Sequence, residues 1–416
     1  MLVPKLRFPE FKNEEEWNEK RLDEACEVNP AIEKLPEAFV YIDLESVEDG
    51  ILLQKKYIQL ESAPSRAQRL LTDGDIIFQM VRPYQMNNLF FSPDDNQSYV
   101  ASTGYAQLRA FESKMYLFQY LHTKYFVQRV LAKCTGSNYP AINSSDLAGI
   151  KIEIPKLFNE QQKIASCLSS LDDLITAHTQ KLDALKAHKK GLMQQLFPAK
   201  GEKVPKLRFE EFKDSGEWEF STIENYIELL SGIPLKSEEL SDDISGVPIL
   251  RGINITEGYI RHSKDIDKYF LGNTEEIKKY LVLENDLVVA MDGSKVGKNV
   301  ALIKKEDEGS LLIQRVARIR TNEKSDINYI YQHIFSENFR NYVDKVNTSS
   351  GIPHISSQQI KDFKIGFPSL KEQQKIAACL SSLDELITEQ AERIEQLKMH
   401  KKGLMQGLFP SITVNN

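Results

Sequence analysis

The side chains best suited to gripping a polar ligand concentrate in two pairs of short loops. One pair is Val81-Arg82-Pro83-Tyr84-Gln85-Met86-Asn87-Asn88 and, at an offset of 211, Asp292-Gly293-Ser294-Lys295-Val296-Gly297-Lys298-Asn299. The other is Thr135-Gly136-Ser137-Asn138-Tyr139-Pro140, facing Thr348-Ser349-Ser350-Gly351-Ile352-Pro353-His354. Arg, Asn, Gln and Lys can meet a base edge with paired hydrogen bonds, and Gly or Ser lets a backbone approach a phosphate closely. The candidate DNA-contacting residues are therefore Arg82, Tyr84, Gln85, Asn87, Asn88, Ser137, Asn138 and Tyr139 in the first half. In the second half they are Ser294, Lys295, Lys298, Asn299, Ser350, Gly351 and His354. Ordinary solvated turns are the competing reading, because Gly, Asn and Ser dominate turns anyway.

Other chemistries find no support. Gly293 to Asn299 superficially resembles a phosphate-binding loop, but G-x-x-x-G-K-N is one residue short and lacks the Ser or Thr for magnesium. Asn29-Pro30-Ala31 fails the Asn/Asp-Pro-Pro-aromatic pattern of an amino-methylating enzyme. The four cysteines, Cys26, Cys134, Cys167 and Cys379, form no CxxC pair and no metal-ligand spacing. No catalytic residue, metal ligand or cofactor loop is expected.

The elements that must position these loops are written twice. Val3-Pro-Lys-Leu-Arg-Phe8 returns as Val204-Pro-Lys-Leu-Arg-Phe209, and Trp17 returns as Trp218, at an offset of 201. Glu160 to Pro198 returns as Glu372 to Pro410 at an offset of 212, with about 27 of 39 positions identical. The intervening segments diverge yet align, Asp75-Ile76-Ile77 against Asp286-Leu287-Val288 and Pro140 against Pro353. A slowly drifting offset means one duplication spanning the chain. Two modules of like purpose but different targets, on a frame held symmetric, would diverge in this way.

Within the near-identical segments, apolar residues recur at alternating spacings of four and three. Leu168, Leu171, Ile175, Leu182 and Leu185 form one seam, and Leu380, Leu383, Ile387, Ile394 and Leu397 the other. Such a seam marks a coiled coil. His178 and Gln390, and Lys189 and Lys401, are polar members of the sort that fix register. A duplicated unit related to itself by a two-fold axis would pair the two helices antiparallel in a rod of roughly 50 Å; homodimerisation through the seam is the alternative. By the same symmetry Pro410 should lie close to Val3, making the chain almost circular.

The fold class expected is α+β. Two α/β target-reading modules, 1–159 and 199–371, are joined by two long antiparallel coiled-coil helices, 160–198 and 372–416, in an internal pseudo-two-fold repeat. Strands are expected at Ala38–Leu44, Asp75–Met80, Tyr105–Ala110 and Ile150–Ile154. Their counterparts are Val247–Leu250, Asp286–Met291, Val316–Arg320 and Phe363–Phe367. Single helical stretches, Met115–Leu131 and Asp326–Val346, precede the last strand of each.

With 416 residues, 41% hydrophobic and 27% charged, the chain has the composition of a soluble multidomain protein. No apolar run approaches the ~20 residues of a membrane span. No signal-peptide pattern opens the chain, and free thiols fit a reducing cytoplasm. The net charge of −7 weighs against nucleic acid, though only the placement of Lys and Arg decides binding.

These motifs resemble a known family. The Val-Pro-Lys-Leu-Arg-Phe opening before a Trp, and Glu160-Gln-Gln-Lys-Ile164 with Glu372-Gln-Gln-Lys-Ile376, resemble Type I restriction–modification specificity subunits. So do Val247-Pro-Ile-Leu-Arg-Gly-Ile-Asn254 and the Gly74-Asp75 and Asn285-Asp286 strands. The first module departs from the usual pattern, because Val81-Arg82-Pro83 lacks the loop glycine. The resemblance implies a non-catalytic subunit that binds a bipartite site in double-stranded DNA. It also implies partners: two modification (methyltransferase) subunits, which use S-adenosylmethionine to methylate adenine N6, and restriction (motor-endonuclease) subunits, which use ATP and Mg. A non-enzymatic coiled-coil scaffold is the alternative; it explains the helices but not two divergent, loop-rich modules.

Overall fold

Alternation along one strand decides how each module is layered. In the computed structural model, which describes residues 2–31, 34–136, 138–347 and 353–410, the strand Ile76–Gln79 is buried on both faces. Ile76 and Phe78 face helices, packing with Tyr116, Leu117, Tyr120 and Phe126. Ile77 faces a second sheet through Val40, Ile42, Tyr99 and Ala101. The repeat does the same: Leu287 and Val289 join Tyr329, Ile330 and Phe339, while Val288 and Ala290 join Leu250, Ile255 and Leu312. A period of two thus buries an apolar run against two layers at once.

The helices are α1 (Lys114–Leu121), α2 (Lys124–Lys133), α3 (Ser144–Ala148), α4 (Phe158–Leu196), α5 (Ile327–Ile334), α6 (Glu337–Val346), α7 (Ser357–Lys361) and α8 (Leu370–Leu408). The central sheets match strand for strand. Ile76–Gln79 pairs antiparallel with Tyr105–Ala110 in the register Ile76↔Leu108. Leu287–Ala290 pairs with Val316–Thr321 in the register Leu287↔Ile319. The expected strands are present, each within two residues of the expected bounds. The expected single helices are broken. Thr123 caps α2 by accepting from Phe126 N, and Ser336 caps α6 by accepting from Phe339 N, so each stretch becomes two helices.

The chain divides into two units, Met1–Gln180 with Ala391–Asn416, and Lys181–Gln390. Each therefore holds the start of one long helix and the end of the other, which cuts both expected helical segments. The helices run Phe158–Leu196 and Leu370–Leu408, two residues earlier at their starts than expected. In the first unit Ile164, Ala165 and Leu168 pack with Leu404, Met405 and Leu408. In the second, Ile376, Ala377 and Leu380 pack with Leu192, Met193 and Leu196. Start against end means antiparallel pairing in each, with the seam filled from the same chain. Leu168, Leu380, Ile394 and Leu397 are buried; Leu171, Ile175, Leu182, Leu185, Leu383 and Ile387 are half-buried, as a two-helix seam allows.

The retained motifs meet one another. Arg7 forks onto Glu160 at 2.7 and 2.8 Å, and Arg208 onto Glu372 at 2.7 and 2.7 Å, with all four side chains nearly buried. Leu6 N donates to Gly407 O at 2.8 Å and Leu207 N to Gln195 O at 2.9 Å, so the Val3 segment does lie against the end of α8. The seam lysines are ion-paired: Lys189 with Asp384 and Lys401 with Asp172, each at 2.6 Å. Each carboxylate also accepts from a module glutamine, Gln332 Nε2 or Gln119 Nε2, at 2.8 Å. Frame and module are locked by one carboxylate in each copy.

Candidate nucleic-acid interface

The two loops singled out in each half are stitched together. Arg82 N donates to Pro140 O at 2.8 Å, and at the equivalent place Gly293 N donates to Pro353 O at 3.1 Å. One step further in, Ile142 N donates to Met80 O and Ile355 N to Met291 O. Bridges Val81↔Ala141 and Asp292↔His354 complete the match. Beneath each site an aspartate at the foot of the central strand receives a forked arginine: Asp75 from Arg109, Asp286 from Arg320. Gly74 and Asn285, both at positive φ, turn the chain into those strands.

In the first module the loop is a tight double reversal. Arg82 (φ 54°) and Met86 (φ 54°) are left-handed and bracket the short turn Pro83–Gln85, with Pro83 buried. Gln79, buried at the strand end, organises it. Its Nε2 donates to Gln85 Oε1 at 2.9 Å, and its Oε1 accepts from Asn87 N at 3.1 Å. Tyr84, Gln85, Asn138 and Tyr139 are exposed; Arg82 and Asn87 are half-buried. The Arg82 guanidinium lies 4.4 Å from the Tyr139 ring centre.

Asn88 corrects the expectation of an exposed reader. It is fully buried, with Oδ1 accepting from Gln79 N at 2.9 Å and Nδ2 3.4 Å from His122 Nε2. His122 Nδ1 donates to Phe118 O at 2.8 Å, leaving Nε2 as the acceptor for Asn88. Burial pushes His122 below the usual imidazole range, which suits that neutral role. Asn88 therefore anchors the loop instead of presenting it.

In the second module Ser294, Lys295, Lys298 and His354 are exposed and Asn299 is half-buried. Val296 is buried, and Gly297 at φ 79° lies where an added Cβ would meet Val343 at 3.0 Å, so the loop is pinned at its middle. Among the described residues neither Lys295 nor Lys298 has a carboxylate partner, whereas Arg315 pairs with Asp292 at 2.9 Å. Ser137, Ser350 and Gly351 lie outside the described residues.

A third feature joins each site that loop composition did not reveal. In the first module Val47–Glu48 and Ile51–Leu52 form a hairpin through Asp49 and Gly50, both left-handed, and Asp49 N reaches Asn87 Oδ1 at 3.4 Å. In the second the bridge Ile255↔Ile260 closes a matching turn at Gly258, whose N donates to Val300 O. Ile51, Leu53 and Tyr259 are exposed there. Gly50 and Gly258, which align at an offset of 208, mark the turn in both copies. Gln79 and His122 were missed too, since neither resembles a loop residue.

Residues 14–187 and 194–399 match the family described as the Type I restriction modification DNA specificity domain. The Type I restriction enzyme MjaVIII specificity subunit of Methanocaldococcus jannaschii is 30% identical over 302 residues, spanning 71% of this chain and 69% of that one. The EcoAI specificity subunit of Escherichia coli is 30% identical over 174 residues, 41% of this chain and 28% of its own length. Among solved structures, a Type I restriction–modification S subunit from M. genitalium covers 99% of the chain at a TM-score of 0.65 and 16% identity, a likeness of fold.

Proposed function

Because the chain belongs to the Type I restriction–modification DNA specificity family, we propose that each of its modules reads one half of a split duplex target. The chain is a specificity subunit and acts within an assembly. The observation that carries the split-target reading is the stitching of two polar loops at the same place in both modules. The candidate side chains of the first loop differ between the copies, Tyr84, Gln85 and Asn87 against Lys295, Val296 and Lys298, with only Asn88 and Asn299 retained, while the arginine–glutamate locks of the frame are the same. A scaffold would need the locks but not the divergent loops.

Arg82, Tyr84, Gln85, Asn87, Asn138 and Tyr139 serve one half-site, and Ser294, Lys295, Lys298, Asn299 and His354 the other. The free cations supply the phosphate attraction that a net charge of −7 does not. Catalysis belongs to partners: modification subunits with S-adenosylmethionine methylate adenine N6, and restriction subunits use ATP and Mg. Two measurements test this. Methylomes of cells with and without the gene should differ by one bipartite adenine motif; an unchanged methylome contradicts the reading. The purified single chain should show no methylation, nuclease or ATPase turnover, and robust turnover would contradict the division of labour.

A further inference from the structure

Arg82 stands where the loop needs a left-handed residue. The repeat supplies Gly293 there, at φ 97°, with the same main-chain hydrogen bond to the facing proline carbonyl. Glycine adopts that conformation freely, whereas an arginine at φ 54° and ψ 54° is strained. Packing does not explain the exchange, because a Cβ added at Gly293 meets nothing within 4 Å and the slot faces open space. Strain of this sort is kept where the side chain has a task.

The side chain shows what task. Among the described residues, the Arg82 guanidinium donates no hydrogen bond and has no carboxylate partner, unlike Arg7, Arg109 and Arg129 of the same unit. It lies against Tyr139, itself 62% exposed, at 4.4 Å. Stacking on an aromatic ring fixes the guanidinium plane and leaves its five N–H donors unspent. A planar fork held that way matches the N7 and O6 acceptors of guanine in the major groove; adenine offers a donor at the second position and is refused.

We infer that Arg82, held by Tyr139, reads a guanine in the first module's half-site and that the second module has no counterpart to it. The inference rests on the modules being target readers. A phosphate would also accept a fork, but a phosphate contact needs neither the fixed plane nor the strained backbone.

The experiment uses the full complex with its modification subunits and compares wild type with Arg82→Gly and Arg82→Lys. Arg82→Gly takes the residue the repeat already uses, so its melting temperature should equal or exceed the wild type's. Discrimination at one G·C position of one half-site should fall roughly tenfold to a hundredfold, with the other half-site untouched. Arg82→Lys should not restore it, because an ammonium lacks the fork. An unchanged motif in Arg82→Gly overturns the inference. So does a uniform loss of binding at all sequences with a salt slope smaller by about one, the mark of a phosphate contact. A wild-type complex that marks no defined motif overturns the target-reading function itself, and the inference with it.

Discussion

Replacing Asp384 with alanine should destabilise its unit more than replacing Asp172 destabilises the other, although the two aspartates are copies of one residue. Asp384 accepts Lys189 Nζ at 2.6 and 2.7 Å and Gln332 Nε2 at 2.8 Å. The Lys189 side chain is 9% exposed and that of Asp384 28%. In the other copy Lys401 is 18% exposed and Asp172 40%. Stranding a fully buried charge costs about 3–5 kcal/mol, and an exposed pair is worth ~0–1 kcal/mol. With Lys189 nearly dry but Asp384 partly wet, Asp384→Ala should cost roughly 2–3 kcal/mol. Asp172→Ala, its pair open to water, should cost about 1 kcal/mol. Alanine's better helix propensity offsets both alike and cancels in the comparison. For units of this size the expected drops in melting temperature are roughly 5–10 °C and 2–4 °C. Urea unfolding of each variant gives the free energies directly. Lys189→Met with Asp384→Leu should recover most of the loss, since an apolar pair strands no charge. Equal costs in the two copies, or a double variant as unstable as Asp384→Ala, would refute burial as the source of the difference.

Leu380→Asp, at a fully buried seam position, should cost more than Leu383→Asp at a half-buried one, several kcal/mol against roughly 1–2 kcal/mol; equal thermal melts would refute the seam assignment. His333 is enclosed by the Phe197 and Tyr329 rings, its Nε2 unpartnered among the described residues, and burial pushes its pKa down to about 3. Below the usual histidine value of about 6.5 the unfolded chain gains a proton that the folded one refuses, so stability falls as pH drops from there towards 3. His333→Phe should flatten that acid limb in a pH series of melting temperatures, and an unchanged limb would count against it. His262 has the opposite sign. Burial lowers its pKa, but Asp307 at 2.7 Å and Asp267 at 3.2 Å outweigh that and raise it. Its contribution is complete below the ordinary histidine value and is lost as pH rises through the raised one; His262→Gln should leave stability less dependent on pH there.

The repeat, the strands and the helical seam were legible because each is a periodic property of neighbouring residues. The loop positions were legible for a related reason: turn residues between apolar runs mark where strands end. Partners were not. Heptad spacing places Lys189 on the seam, but only the antiparallel register sets Asp384 before it. Asn88 has the composition of a loop reader and is a buried anchor, because Gln79 and His122 come to it from elements 9 and 34 residues away. The break at Thr123 and Ser336 carried an N-cap signal that a continuous apolar pattern overrode. Arg82 looked merely atypical until its φ was known.

The claim that each module reads its own half-site is tested most directly by exchanging residues 219–371 for the corresponding module of another specificity subunit and sequencing the methylome that results. One half of the marked motif should change to that of the donor while the other half stays as it was. If both halves change together, or neither does, the modular account is wrong.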